Sequence, residues 1–163
     1  MPVSSTLGVI AMEPIIAVGS MTLPPLRILP AGPPHTYLGI AYAMLPGVRV
    51  LAGATPLPAL PLAMLSSHIL ECGLKAYLSR SGDDSRVKQQ RIRHNLNELW
   101  ALASSEGLSI PTQPPQWADC LSHLHKPPYF LRYSTGVHGI STPAPEPMVT
   151  ELAAILEQVR CQL

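Results

Sequence analysis

The chain has 163 residues, enough for one domain that buries roughly two thirds of its unfolded surface. Apolar residues make up 47% and charged residues 13%, about half the charged share usual for soluble proteins, which points to extensive burial or a self-associating face. With 11 basic against 10 acidic side chains, no overall field exists to hold nucleic acid or an anionic membrane; this argues against a general electrostatic nucleic-acid binder and leaves only local patches.

Residues 1–61 hold 11 of the 19 prolines and three charged side chains, Glu13, Arg27 and Arg49. Pro14, Pro24, Pro25, Pro30, Pro33 and Pro34 each remove a backbone donor and disfavour helix at the preceding residue. Residues 1–35 are therefore expected to be a Pro-rich extended or disordered segment, and residues 36–163 a helical domain. Glu13 and Pro14 interrupt LGVIAMEPIIAV, and no Lys or Arg precedes it, so neither a signal peptide nor a membrane span is expected. The expected compartment is the cytoplasm. Met12 or Met21 is a further candidate start.

Tyr37–Leu51 is a candidate first helix, interrupted or kinked near Pro46 and Gly47. From Leu62, the stripes Leu62, Leu65, Ile69, Cys72, Ala76 and Leu70, Leu74, Leu78 predict a helix wrapped by neighbours on most sides, the centre of the core. Its polar side chains His68, Glu71 and Lys75 share one narrow stripe, with Glu71 oriented to pair with Lys75. Gly82 and the run Asp83–Arg93 read as a polar loop. Asn95 and Glu98 then have capping-box spacing before Leu96, Leu99, Trp100, Leu102 and Ala103, and Gly107 ends that helix. Pro115 opens a short helix carrying Trp117, Cys120, Leu121 and Leu124. A Pro- and Gly-marked connector leads to a final helix with Met148, Val149, Leu152, Ile155, Leu156 and Val159 on one face. No strand alternation is present, so the expected fold is an all-α bundle of four to five helices. Cys72, Cys120 and Cys161 lie far apart in sequence and read as reduced, mostly buried thiols.

Glu71 and Lys75 within HILECGLKAYL, the polar turn, HNLNELWALASSEGL, FLRY and a carboxy-terminal helix after PAPEP together resemble the HEPN (higher eukaryotes and prokaryotes nucleotide-binding) superfamily. The similarity covers residues 57–162, and HNLNEL is its most specific element. The resemblance implies a HEPN-like bundle that forms a homodimer. It also implies one of two roles: a metal-independent RNase of toxin and defence systems, or a non-catalytic partner of a nucleotidyltransferase. Its RNases carry Arg, four to six residues, then His. A cation there stabilises the phosphorane and an imidazole moves the 2′-hydroxyl proton.

Arg132 and His138 meet that spacing, but Tyr133 and Gly136 in RYSTGVH suggest a loop rather than the start of a helix. Arg132 as a loop anchor and His138 as a solvated turn residue is the plainer reading. His94, Asn95, Arg91 and Arg93 could gather an anion at a helix amino terminus, against the alternative that Asn95 caps while His94 covers the turn. His68, Glu71 and Lys75 read first as an ion pair that fixes packing and second as an acid-base site. Trp100 and Trp117 are expected in the core or an interface.

There is no glycine-rich phosphate loop, HExxH, paired CxxC, GxSxG or acidic pair at metal spacing, so no metal and no cofactor is expected. Two functions follow. The favoured one is a non-catalytic HEPN-like interaction or nucleotide-associated module of a bacterial two-protein system, with a nucleotidyltransferase or antitoxin as partner. The alternative is a metal-independent endoribonuclease toxin acting on RNA as a dimer through Arg132 and His138. No membrane partner is expected.

Overall fold

In a computed structural model of the chain, residues 32–133, 139 and 141–163 are described. Within them the secondary structure is helical throughout: α1 (His35–Ala52), α2 (Ala59–Leu78), α3 (Leu96–Ser105), α4 (Gln116–His125) and α5 (Pro145–Cys161), with a single 3-10 turn at Arg86–Lys88. Of the expected Pro-rich segment 1–35, residues 1–31 lie outside the described residues, as does His138.

Helix α2 packs against α1, α3, α4 and α5, and α1 also meets α5 while α3 meets α4. The sequence explains this central place. Between Leu62 and Leu78 only Met64 is exposed, with Leu65 and His68 half-buried, so almost every face of α2 meets protein. The helix begins at Ala59, three residues before the first stripe residue, because Pro61 occupies the first turn, where its missing N–H would be unpaired in any case. At Gly73 the neighbouring helix comes close: a Cβ there would lie 2.7 Å from Leu156 Cδ2 of α5.

Helix α1 corrects one half of an expectation: of the interruption or kink near Pro46 and Gly47, the interruption is absent, and the helix runs on through both residues. Both residues are exposed, while Ala41, Leu45 and Val48 face the core. The one hydrogen bond that proline removes therefore faces water, which can replace it, and burial on the opposite face holds the helix together.

Between α2 and α3 the polar run is ordered by its own charges and by two buried anchors, Val87 and Ile92. The Glu106 carboxylate at the end of α3 receives both Arg80, at 3.2 Å, and Arg86. Asn95 caps α3 by accepting from the Glu98 amide at 3.3 Å. The reciprocal half of the capping box is not formed, because the Asn95 amide donates instead to the Ile92 carbonyl at 2.9 Å. The carboxyl end of α3 is a Schellman motif. Gly107 (φ +97°) donates to Ser104 O, and Leu108 donates to Ala103 O, with Leu108 and Ala103 both buried.

Trp100 and Trp117 are both buried, as expected, and each keeps its indole N–H satisfied, by Pro111 O at 2.7 Å and by Glu151 Oε2 at 2.5 Å. The cysteines depart from expectation: all three are free thiols, but only Cys72 is buried, with Cys120 half-buried and Cys161 exposed. Cys161 is exposed at the end of α5, two residues past the last core residue, Val159. Among the described residues no helix is long and apolar enough to cross a membrane.

Candidate functional site

Four polar side chains converge where α2, the turn before α3 and the end of α4 meet. Glu71 sits near the middle of α2, with its side chain 4% exposed. Its Oε1 accepts from Lys75 Nζ at 2.6 Å, the pairing that four-residue spacing places on one helix face. Its Oε2 faces two imidazoles, His94 Nδ1 at 3.2 Å and His125 Nε2 at 2.5 Å. Lys75 is also buried, and its ammonium lies 6.0 Å from the Tyr37 ring centroid.

Burial by itself would raise the Glu71 carboxyl. The hydrogen bond from His125, the charge and hydrogen bond of Lys75 and the hydrogen bond from His94 outweigh it and hold the group down at about 2. Glu71 is thus ionised at any ordinary pH. Cys72, beside it, goes the opposite way: burial first and the Glu71 charge second push its thiol up to about 12, so it is not a nucleophile. His68 is lowered, chiefly by burial, and its Nε2 lies 3.7 Å from Cys72 Sγ. The polar stripe expected on α2 is therefore divided, with Glu71 and Lys75 paired and His68 turned to the thiol.

The contact between α3 and α4 brings the two imidazoles together. Ser122 Oγ of α4 accepts from the Asn97 amide, one of the unpaired donors in the first turn of α3, at 3.3 Å, and Asn97 Nδ2 donates to Asp119 Oδ1 at 2.7 Å. These bonds dock the start of α3 on α4. The ring centroids of His94 and His125 come to 5.9 Å of each other, edge to face.

His94 is the member of the cluster that reaches outward, with 24% of its side chain exposed. It forms part of the wall of a cleft of about 520 Å³ together with Arg91, Asn95, Lys126 and Tyr129. With Nδ1 committed to Glu71, the imidazole turns its Nε2 edge away from the carboxylate. Tyr129 has φ +63°, a left-handed conformation unusual outside glycine, and its ring stands edge-on to His94 with centroids 6.1 Å apart. The exposed Arg132 lies over the Tyr129 ring at 5.7 Å, and its charge is felt at His68. A depression of similar size between α1 and α5, about 500 Å³, has Arg49 and Glu146 in its wall and no imidazole, so it concentrates less chemistry.

Of the sequence-level candidates, His94, Asn95 and Arg91 are thus gathered at one cleft beside Glu71 and Lys75. Arg93 is exposed and takes no part in that wall. Arg132 approaches from the loop after α4. His125, Lys126 and Tyr129 were missed. The one signal for His125 was its place four residues after Leu121 and eight after Trp117, on the buried stripe of α4, where an imidazole must find a polar partner.

Among the described residues Glu71, His94 and His125 are the group of potential metal ligands, with one donor atom from each lying within 4.8 Å of the others. A search of protein families, of curated proteins and of solved structures finds no match to the chain.

Proposed function

We propose that this protein is a HEPN-like, non-catalytic module that binds the phosphate of a nucleotide and serves as one member of a bacterial two-protein system. The observation that carries the reading is His94, pinned through Nδ1 to the ionised Glu71 and set in the wall of a cleft that also holds Arg91 and Lys126. An imidazole fixed in orientation and two cations at one opening suit a phosphate group. Tyr129 offers a ring for the base or sugar. The buried Glu71 carboxylate is already filled by three donors, so it serves to orient His94 rather than to exchange protons with a ligand.

Differential scanning fluorimetry of the full chain with ATP and with inorganic pyrophosphate tests the proposal. Both ligands are expected to raise the melting temperature of the wild type, and the rise is expected to vanish in the His94→Ala, Lys126→Ala double variant. Absence of any shift at millimolar ligand overturns it.

The ribonuclease alternative draws on one feature, the placement of Arg132 over Tyr129 at the edge of the same cleft. It requires cleavage of RNA in EDTA that is lost in Arg132→Ala and in His138→Ala. Such cleavage would replace the binding proposal.

A further inference from the structure

We propose that Glu71, His94 and His125 form a binding site for one divalent transition-metal ion of the zinc class, with its open position facing the cleft. The three ligands come from three separate parts of the chain, α2, the turn before α3 and the end of α4, and meet only because the bundle folds. Two imidazoles and one carboxylate are the donor set of open zinc sites, in which three protein ligands leave a position for water or substrate. Magnesium and calcium are disfavoured, since they need more oxygen ligands than the single carboxylate oxygen, Oε2, that the Lys75 pairing leaves on the side of the imidazoles.

The three donor atoms lie within 4.8 Å of one another, and the two separations that involve Glu71 are close to those a metal requires. In a tetrahedral zinc site with bonds of about 2.0–2.1 Å, ligand atoms stand about 3.3 Å apart. His94 Nδ1 and Glu71 Oε2 are already 3.2 Å apart, and His125 Nε2, at 2.5 Å, needs to withdraw by less than an ångström. His94 Nδ1 and His125 Nε2 now carry the protons donated to Glu71, and they coordinate once each neutral imidazole holds its proton on the other ring nitrogen, Nε2 of His94 and Nδ1 of His125. Lys75 holds the other oxygen of Glu71 at 2.6 Å, leaving Oε2 for the metal as an outer hydrogen bond on a ligating carboxylate does.

Lys75 also decides what the open position takes. Its charge cancels that of Glu71, so a dication adds two uncompensated positive charges to a buried site and calls for an anion beside it. The half-exposed His94 places that position toward the cleft that carries Arg91 and Lys126, so the anion expected there is a phosphate oxygen. This last step rests on the phosphate reading above, whereas metal binding itself does not.

The test uses the full chain, stripped with EDTA and titrated with zinc alone by calorimetry and with cobalt(II) alone by visible absorption. The expected result is one equivalent bound, an intense four-coordinate cobalt spectrum and a raised melting temperature. His125→Ala and His94→Ala are expected to weaken binding at least tenfold, with folding checked by circular dichroism; His94→Ala, at the half-exposed edge, keeps the test valid if His125→Ala unfolds. Lack of zinc and cobalt binding at micromolar metal by the folded wild type overturns the inference, as does unchanged binding by folded His94→Ala. Pyrophosphate shifting the melting temperature without any metal binding sinks the metal site and leaves the proposed function standing. Metal binding without a pyrophosphate effect does the reverse.

Discussion

Glu71 is held at about 2 against its usual 4.5 because its oxygens are shared among Lys75, His94 and His125. A carboxyl lowered by folding stabilises the native state fully above its unfolded value and loses that contribution as pH falls to the folded value. The window here runs from 4.5 down to about 2. The stabilisation amounts to about 3 kcal/mol, which is also the scale on which removing one member of a buried charged set destabilises a protein. Glu71→Gln is therefore expected to cost about 3 kcal/mol at neutral pH, measured as a lowered urea midpoint. The gap between wild type and variant is expected to close as pH drops from 4.5 toward 2. A gap that stays constant across that range would show that the carboxylate charge is not what the site depends on.

At the scale of elements, the carboxyl end of α3 rests on a single backbone requirement. Gly107 must hold φ +97° for its own amide and that of Leu108 to reach back to Ser104 and Ala103. A Cβ at that position has room, with Tyr77 Oη 3.6 Å away, so the cost of Gly107→Ala is conformational rather than steric and amounts to about 1 kcal/mol. Guanidinium unfolding monitored at 222 nm would register it, and a variant as stable as the wild type would mean that the helix end is set by the Arg80 and Arg86 pairs with Glu106 instead. This end of the helix was legible because Gly107 comes one turn after Ala103, the last residue of the apolar stripe, behind the polar run Ser104–Glu106. The same kind of local reasoning overreached at Pro46 in allowing an interruption, because the rule that proline breaks helices assumes that the lost bond is buried, and here it faces water. The Glu71 and Lys75 pair could be read from four-residue spacing. Its two imidazole partners could not, since His94 lies 23 and His125 54 residues away, and only the packing of α3 and α4 on α2 brings them in.

Across the whole molecule, the scaffold and the site draw on different faces of α2. Helix α5 packs on α1 and α2, whereas Glu71, His94 and His125 lie among α2, α3 and α4. Leu152, fully buried on α5, contributes to the first set of contacts and not to the cleft. Leu152→Ala removes buried carbons and leaves a cavity, for an expected cost of about 2–5 kcal/mol. Because a domain of this size unfolds cooperatively, that loss lowers the melting temperature of the site and scaffold together. Well below the transition, however, the cleft is intact, so pyrophosphate affinity measured by calorimetry at 10 °C is expected to stay within about twofold of wild type, as for mutations without shared partners. His94→Asn, whose amide keeps a donor near the place of Nδ1 for Glu71 while removing the Nε2 edge that faces the cleft, is expected to do the opposite, changing stability little and affinity much. A Leu152→Ala variant that loses stability and affinity in parallel would mean that the cleft is shaped by the packing of α5 as much as by the cluster around Glu71.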